Sequence, residues 1–319
     1  MEKQNVSVII PTLSRTEDLK RLLDSIFKQT VLPYEIVIVD QSTDSQTNRM
    51  FHDFKDRYSN KKISFCYIYQ EEKNSAKARN IGISNATGDI ISFLDDDVIL
   101  HKDYFEKVID YLRNNAQVGG VSGNILEIRK ISGWKWGLRK ALMRFFLINK
   151  FDGKMTQSGF GYPVYDRDID VPLQVEMLAG CNMNFRTDLI KGIFFDNWFT
   201  GYSYREDVDF SYLVSRKTKL YILPEAKLTH NLSKNSRIDE ISLKRMQLGN
   251  YYYIFKKHKY KNIFSSLFFF YSMLGYLLID LLNFLVSFKL MDFKEFVVTL
   301  LAAFQFIRVE FHPKKFCRR

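Results

Sequence analysis

Short apolar runs that end on polar residues constrain the fold of this chain most strongly. Residues 6–10, 35–39 and 90–94 are apolar runs rich in β-branched side chains, which is typical of strands buried on both faces of a parallel sheet. Residues 17–29, between the first two runs, carry apolar side chains at helical spacing. The alternation predicts a doubly wound α/β fold, in which ligands bind outside the carboxyl ends of the strands.

The same alternation continues through the first hundred residues. Residues 63–69 are a further strand candidate, and residues 75–86 have the pattern of a helix. The sequence has neither a Gly-x-Gly-x-x-Gly pattern after the first strand nor a Gly-Lys-Ser/Thr loop. Dinucleotide dehydrogenases and P-loop enzymes are therefore poor matches.

Three consecutive carboxylates, Asp95, Asp96 and Asp97, directly follow the strand predicted at 90–94. Carboxylates this close repel one another, and they are costly at a strand end unless a cation lies among them. A divalent ion held by one or two carboxylates and by substrate phosphates meets this need. The cluster predicts a Mn²⁺ or Mg²⁺ site for a diphosphate, although an acidic turn or helix cap would suit the same residues.

Five motifs follow one another along the chain: Val-Ser-Val-Ile-Ile-Pro-Thr (6–12), Ile-Val-Ile-Val-Asp-Gln-Ser-Thr-Asp (36–44), Ala-Lys-Ala-Arg-Asn-Ile-Gly (76–82), Ala-Thr-Gly-Asp (86–89) and Phe-Leu-Asp-Asp-Asp (93–97). In this order they resemble the family 2 glycosyltransferases, of the type that builds bacterial surface polysaccharides. The resemblance implies the GT-A fold, a Rossmann-like, mostly parallel mixed sheet. It also implies a nucleotide-sugar-binding half, 1–100, and an acceptor-binding half, 101–238.

The resemblance further implies roles for single residues at the strand ends. Asp40 would accept hydrogen bonds from the base, and Arg79 would lie near the base and the diphosphate. Asp95 and Asp97 would frame the family's Asp-x-Asp motif, with Asp97 on the metal and Asp95 near the ribose or a metal-bound water. Asp96 could share that work, because three consecutive carboxylates leave the register open. The residues expected to bind the nucleotide sugar are Pro11, Thr12, Arg15, Asp40, Arg79, Asp95 and Asp96.

A second acidic cluster, Glu206, Asp207 and Asp209, opens a helix predicted to run to residue 215. Carboxylates at a helix N-terminus favour the helix dipole, so the cluster by itself also suits a purely structural role. The resemblance gives Asp207 the role of general base, with Glu206 fixing the base or the acceptor. It places Gly180, Asn182 and Arg186 along the acceptor site, and His230 as a metal ligand beside Asp97 and Asp95.

These roles describe an inverting, metal-dependent transfer of a sugar from a nucleotide-diphosphate donor, expected to be a UDP-sugar. The acceptor would be a hydroxyl of a lipid-linked molecule or a polysaccharide. Two other functions stay open. A nucleotidyltransferase would normally carry a Gly-rich, basic loop after the first strand. This chain has Pro-Thr-Leu-Ser-Arg (11–15) at that place. A non-catalytic, membrane-bound sugar-binding protein would need neither acidic cluster.

The apolar and basic residues concentrate in the last part of the chain. Lys and Arg number 47 against 36 Asp and Glu, which gives a net charge of +11, and there are 28 Phe. Residues 263–288 form an apolar run long enough to span a bilayer, but a polar stripe crosses it at helical spacing. The stripe consists of Ser265, Ser272, Asp280, Asn283 and Ser287. The next apolar run, 296–307, is too short for a span, and a turn is expected at 289–294.

Basic residues flank both ends of these two runs, which favours cytoplasmic ends. We therefore expect 239–319 to be a helical region that associates peripherally or monotopically with the inner face of the cell membrane. Core helices of a helical subdomain, or the contact of a homo-oligomer, are the alternatives. Residues 134–150, with tryptophans beside basic residues, are a second candidate for the lipid headgroup zone. No nucleic-acid recognition motif accompanies the charge, and the scattered three cysteines suit a reducing cytoplasm.

Overall fold

The structure is a computed structural model that describes residues 4–126, 133–164, 167, 169–231 and 238–311. Its contacts divide the chain into two units. The first consists of the described parts of Met1–Lys130 and Pro163–Arg237, and the second of those of Ile131–Tyr162 and Ile238–Arg319. The sequence did not predict that 131–162 would group with the carboxyl-terminal helices.

The strands all lie in the first unit: β1 (Val6–Thr12), β2 (Glu35–Asp40), β3 (Ser64–Tyr69), β4 (Ile90–Leu94), β5 (Val98–Leu100), β6 (Val118–Ile125), β7 (Leu173–Val175), β8 (Asn182–Arg186) and β9 (Lys219–His230). The helices of both units are α1 (Thr16–Ile26), α2 (Gln46–Arg57), α3 (Ser75–Asn85), α4 (Tyr104–Asn114), α5 (Trp134–Phe145), α6 (Thr187–Ile190), α7 (Glu206–Ser215), α8 (Glu240–His258), α9 (Ser266–Ser287) and α10 (Leu290–Phe311). Of these, α5, α8, α9 and α10 belong to the second unit.

One mixed sheet contains all nine described strands, in the order β3-β2-β1-β4-β8-β6-β9-β5, with β7 paired to β9. The first four strands of that order are parallel, whereas β8 pairs antiparallel with both β4 and β6. The register places Thr12 opposite Asp40 and Asp40 opposite Tyr69. The polar ends of β1, β2 and β3 therefore meet at one edge, as the doubly wound pattern predicts.

The predicted strands are buried because their apolar runs leave no polar face for solvent. Every residue of β1, β2 and β4 is buried. Helix α1 covers the sheet with Leu19, Leu22, Leu23 and Ile26, all of them buried in the same core. Each such side chain contributes roughly 1.5–3 kcal/mol on burial, so this core holds the strand ends in place.

The second unit is a cluster of helices around an aromatic core. Phe269 of α9 is fully buried, and its ring lies 5.1 Å from that of Phe255 and 5.7 Å from that of Phe306. The turn expected at 289–294 is wrong, since α10 already begins at Leu290 and runs for 22 residues. The break covers Phe288 and Lys289, with Phe288 in the left-handed region at a φ of 52°. It is short because 289–294 contains neither Gly nor Pro to stop a helix.

Two residues of the predicted polar stripe, Ser272 and Asp280, are buried in the second unit. The Ser272 hydroxyl donates to the Phe146 carbonyl at 2.6 Å. Asp280 is buried, accepts from Lys244 Nζ at 2.9 Å and accepts from the Thr299 hydroxyl at 2.6 Å. Ser287, by contrast, is exposed. Among the described residues, one helical stretch, Ile263–Ser287, is long and apolar enough to cross a membrane, with a mean hydropathy of 1.7.

Candidate active site

Asp40, at the end of β2, is a buried acceptor that is already well supplied with donors. Its Oδ1 accepts from the backbone N–H of Ser42 at 2.9 Å and from the Ser42 hydroxyl at 2.5 Å. Its Oδ2 accepts from the Tyr67 hydroxyl at 2.6 Å. Burial and this bond raise the pKa of Tyr67, so the phenol stays a donor. The fold therefore satisfies both oxygens of Asp40 and leaves this residue no exposed surface.

Asp96 is the inward member of the acidic triplet. It accepts from the Thr12 hydroxyl at 2.7 Å, and Arg15 Nη1 lies 3.1 Å from its Oδ1 and 3.6 Å from Asp97 Oδ2. Burial raises the pKa of Asp96 to about 7, although Arg15 and Thr12 oppose the shift. The arrangement joins three sequence-predicted residues, Thr12, Arg15 and Asp96, in one network at the end of β1.

The other two carboxylates meet His230 in a candidate metal cluster. Asp95, Asp97 and His230 each offer a ligand atom, and these atoms all lie within 4.8 Å of one another. The antiparallel pairing of β5 with β9 sets Val98 opposite His230, so the imidazole reaches Asp97 Oδ1 at 3.0 Å. Two carboxylates and an imidazole form a donor set that suits a divalent ion.

The electrostatics of this cluster favour positive charge. Burial disfavours the protonated imidazole, but the neighbouring Cys181 and Asp97 outweigh it and raise the pKa of His230 to about 11. Asp95 is only half-buried, which leaves it open on one side. The oxygens of Asp95 and Asp97 suit Mn²⁺ or Mg²⁺, and His230 would ligate the ion only after losing its proton, with phosphate oxygens in the remaining positions.

Arg79, on α3, joins the two acidic clusters that the sequence kept more than a hundred residues apart. Its Nη2 lies 2.8 Å from Asp95 Oδ1, and its Nη1 pairs with Glu206. The side chain is only 4% exposed, with the guanidinium 5.6 Å from the centre of the Phe195 ring. Burial raises the pKa of Glu206 to about 8, while Arg79 opposes the shift. Glu206 is thereby a buried anchor for Arg79.

Asp207 is the more open of the two carboxylates that begin α7. Its Oδ2 accepts from the Gly180 N–H at 2.8 Å, and its Oδ1 accepts from the Val208 N–H at 2.8 Å. Glu206 is buried whereas Asp207 is half-buried. A Cβ on Gly180 would lie 3.2 Å from Asp207 Oδ2 and 3.4 Å from Arg79 Nη2. The glycine therefore gives the carboxylate its room.

The side chains of two predicted acceptor residues point away from the acidic clusters. Asn182 is fully buried in β8, where its Oδ1 accepts from the Gly123 N–H at 2.6 Å. Arg186 pairs with Ile90 in the sheet, at the end of β4 opposite to Asp95, and its side chain donates to the carbonyls of Val118 and Leu112. The structure therefore brings only Gly180 of this group to the acidic clusters. Asn182 lies at the site end of β8, opposite Leu94, but its side chain points into the core, whereas the antiparallel run of β8 carries Arg186 to the far end of β4.

Sequence reasoning also missed two residues next to the site. Arg205, directly before Glu206, is buried and has a left-handed backbone with φ of 80°, a conformation unusual for a side chain other than glycine. Ser203 donates from its hydroxyl to the Asn74 side chain at 3.1 Å and accepts from the Ala76 N–H at 3.3 Å. This ties the loop before α7 to the start of α3. No sequence signal marks either residue, because a left-handed backbone is predicted from a glycine and position 205 is an arginine.

Residues 7–170, slightly more than half of the chain, match the family model described as glycosyl transferase family 2. The chain belongs to this family. Among its relatives, the glycosyltransferase AglE of Haloferax volcanii is 32% identical over 122 residues, which are 38% of this chain and 39% of AglE. The amylovoran biosynthesis glycosyltransferase AmsB of Erwinia amylovora is 33% identical over 107 residues, 34% of this chain and 35% of AmsB. The chain thus spans little more than a third of these relatives.

Two solved structures share the fold over most of the chain. The mannosyltransferase PcManGT of Pyrobaculum calidifontis, in complex with GDP-Man and Mn²⁺, has a TM-score of 0.58 at 14% identity, covering 99% of this chain and 89% of that one. TarS 1–349 of S. aureus, in complex with UDP-GlcNAc, has a TM-score of 0.58 at 16% identity, covering 94% and 81%. The predicted GT-A fold is confirmed.

Proposed function

We propose that this protein is a glycosyltransferase that moves a sugar from a nucleotide-diphosphate donor to an acceptor hydroxyl, with inversion at the anomeric carbon. The observation that carries the proposal is Arg79, which links the Asp95–Asp97–His230 cluster to the carboxylates of α7. Metal ligands for a diphosphate and a candidate base thereby belong to one connected site. Relatives named as glycosyltransferases support the reaction class.

The donor half of the site supports binding of a nucleoside diphosphate. Mn²⁺ or Mg²⁺ held by Asp95, Asp97 and His230 would neutralise the diphosphate as it leaves. Arg15 and Thr12 hold Asp96 in place behind these ligands. Asp40 would accept from a base N–H by exchanging its bond to the Ser42 or Tyr67 hydroxyl. We expect a UDP-sugar, and the structural neighbours bind UDP-GlcNAc in one case and GDP-Man in another.

Asp207 is the better candidate for the general base. A base must reach the acceptor hydroxyl, and Asp207 is partly open while Glu206 is buried against Arg79. The N–H groups of Gly180 and Val208 fix both of its oxygens. In the proposed step, Asp207 takes the proton of the acceptor hydroxyl, the oxygen bonds to the anomeric carbon, and the bond to the diphosphate breaks on the opposite face. A single displacement of this kind inverts the configuration.

The acceptor is proposed to be a hydroxyl of a lipid-linked molecule or a polysaccharide. The amylovoran-biosynthesis relative and the poly(ribitol-phosphate) N-acetylglucosaminyltransferase TarP of Staphylococcus aureus, 28% identical over 116 residues, support polymer acceptors as a class. The location would be the inner face of the cell membrane, where lipid-linked acceptors are met. The linkage would follow from the donor sugar by inversion.

The test is a panel of UDP- and GDP-sugars incubated with the purified full chain and Mn²⁺. Release of nucleoside diphosphate supports the proposal, whereas release of pyrophosphate would identify a nucleotidyltransferase instead. Asp207→Asn should abolish transfer and leave donor affinity within about twofold, as measured by calorimetry. The control is Asp44→Asn, an exposed carboxylate in the loop after β2, which should leave both unchanged. Full turnover by Asp207→Asn would refute the base assignment.

The metal and the stereochemistry need separate measurements. Asp97→Ala and His230→Ala should each lower Mn²⁺-dependent nucleotide binding at least tenfold, because each removes one of three ligands. Unchanged binding in both variants would refute the cluster. The anomeric configuration of the product, read from its proton coupling by NMR, should be opposite to that of the donor. Retention would rule out the single displacement.

A further inference from the structure

Helix α5 exposes an apolar face, which a surface helix of a soluble protein would turn toward the core. Trp134, Leu138 and Phe145 lie four and seven residues apart, on one side of the helix, and are 75%, 50% and 67% exposed. The exposed residues beside them are basic: Lys135, Arg139 and Arg144. An apolar stripe flanked by cations is the pattern of a helix that lies in the headgroup zone of an anionic bilayer.

The α9–α10 pair repeats this pattern on a larger scale. Along α10, Leu290, Phe293, Leu301 and Phe304 fall on one face at spacings of three and eight, and all four are exposed. Exposed leucines of α9 add to the apolar surface: Leu267, Leu274 and Leu285. Soluble proteins rarely leave such large apolar surfaces uncovered. This exposed apolar surface therefore indicates a binding site for a protein or a membrane.

Helix α5 and helix α9 are packed against each other within the second unit. Besides the bond from Ser272 to the Phe146 carbonyl, the Phe145 and Tyr271 rings lie 5.9 Å apart. A Cβ on Gly275 would lie 2.3 Å from Phe146 Cβ, so only glycine lets the chain after α5 approach α9 this closely. The exposed stripe of α5 thus belongs to the same helical unit as the exposed faces of α9 and α10.

The excess of basic residues in the second unit indicates what binds this apolar surface. In the described parts of the second unit, Lys and Arg outnumber Asp and Glu by about two to one. The basic side chains Lys257, Lys261, Lys289, Lys294 and Arg308 are exposed near the ends of the apolar helices. A protein partner of matching apolar surface would not require this excess, whereas anionic headgroups attract each such cation by about 1 kcal/mol.

A buried ion pair argues against a simple crossing by α9. Asp280 lies in the second half of α9 and pairs with Lys244 of α8, a helix that also carries Arg245, Lys256 and Lys257. If α9 spanned the bilayer, α8 would be drawn to the same depth, and its charges would lie in hydrocarbon at high cost. An orientation with α9 and α10 in one leaflet keeps these charges at the surface.

We propose that the exposed stripe of α5 and the outer faces of α9 and α10 form one surface that binds the anionic headgroups and upper acyl region of a single leaflet. This surface will be called the lipid face. Trp134 and the basic residues of α5 contact the headgroups, while the leucines and phenylalanines of α9 and α10 enter the acyl boundary. The proposal concerns a surface, and its success or failure is independent of the reaction.

The experiment is flotation of the full chain with two kinds of vesicle. One contains phosphatidylcholine alone, and the other also contains about 30% phosphatidylglycerol, an anionic lipid. The wild-type chain should float mainly with the anionic vesicles. The triple variant Trp134→Ser, Leu138→Ser, Phe145→Ser should lower the bound fraction at least tenfold, and Lys135→Glu, Arg139→Glu, Arg144→Glu should do so for anionic vesicles. All six positions are exposed, so we expect the variants to fold. An unchanged midpoint of thermal unfolding will show that they do.

Matched controls come from the first unit. Val171→Ser removes a side chain that is 70% exposed, and Lys20→Glu, Lys28→Glu, Lys55→Glu reverses three exposed cations. Both controls should float like the wild-type chain. Equal flotation of the α5 variants and the wild type would overturn the proposal. So would a chain that fails to bind vesicles and instead forms a dimer that the α5 variants dissociate, as measured by light scattering.

Discussion

At the scale of single residues, Gly180 is the position where a small change should disturb the proposed chemistry most selectively. A Cβ there would meet Asp207 and Arg79 at 3.2–3.4 Å, and the branched side chain of valine adds two more methyl groups. We expect Gly180→Val to lower kcat by about ten- to a hundredfold, because displacing a reacting group by around 1 Å has effects of that size. Steady-state kinetics and donor titration would separate this from lost donor binding.

The matched control for Gly180→Val is Gly249→Val. Gly249 lies in α8, and nothing is within 4 Å of the place where its Cβ would be. Valine is also a better helix former than glycine. The kcat of Gly249→Val should equal that of the wild type. Equal activity of both variants would mean that Asp207 has more room than its contacts imply.

Arg79 should tolerate lysine poorly, although the charge is kept. The guanidinium reaches Asp95 and Glu206 with two different nitrogens, and an ammonium group cannot bridge two carboxylates in the same fixed geometry. We expect Arg79→Lys to reduce kcat/KM at least tenfold and to lower the free energy of unfolding. Lys77→Met serves as the control, since Lys77 lies on the same helix and its pair with Glu72 is solvent-exposed. A wild-type kcat/KM in Arg79→Lys would show that the bridge is dispensable.

The residue scale also shows where sequence reasoning stops. Asp95, Asp97 and Asp207 could be selected because carboxylates at strand and helix ends carry a recognisable chemical meaning. Arg186 could not be placed, since a strand's direction depends on its partners, and the sequence did not show that the Asn182 side chain faces the core. The left-handed backbone of Arg205 leaves no trace in the side chain. Contact between Arg79 and Glu206 depends on tertiary packing, which no local pattern encodes.

At the scale of elements, the apolar patterns gave strand positions within a residue or two, because β1, β2 and β4 are buried on both faces. The strand at Ile90–Leu94 agrees with its predicted limits. Helix ends were less predictable: α10 starts earlier than expected, as nothing between Leu290 and the apolar run interrupts it. The polar stripe of α9 is visible in the sequence, yet the partners of Asp280 in it, Lys244 and Thr299, come from other helices.

That ion pair gives an element-scale prediction. Lys244→Met leaves Asp280 buried without its cation, and removing one partner of a buried pair costs about 3–5 kcal/mol. We expect a destabilisation of that order, measured by denaturant unfolding in detergent. The double variant Lys244→Met, Asp280→Leu should recover most of it, because no buried charge is left unpaired. Arg245→Met, the exposed neighbour on α8, is the control and should change little.

At the scale of the whole molecule, the two units have separate cores, and the proposed donor site belongs to the first. Its residues come from β1, β2, α3, β9 and the loop after β4, so a bound donor must stabilise the sheet. A ligand at a hundred times its Kd adds about 2.7 kcal/mol to the native state. Since that energy acts on the unit that binds, Mn²⁺ with UDP or GDP should stabilise the first unit selectively.

The three tryptophans allow this to be measured unit by unit. Trp134 and Trp136 lie on α5 in the second unit, whereas Trp198 lies in the first. In the variant Trp134→Phe, Trp136→Phe, fluorescence reports on the first unit alone, and in Trp198→Phe on the second alone. We expect Mn²⁺ with nucleotide to raise the urea midpoint of the first variant and leave that of the second unchanged, and His230→Ala to remove the shift. Equal shifts in both variants would show that the chain unfolds as one cooperative body, because a two-state transition moves every probe together.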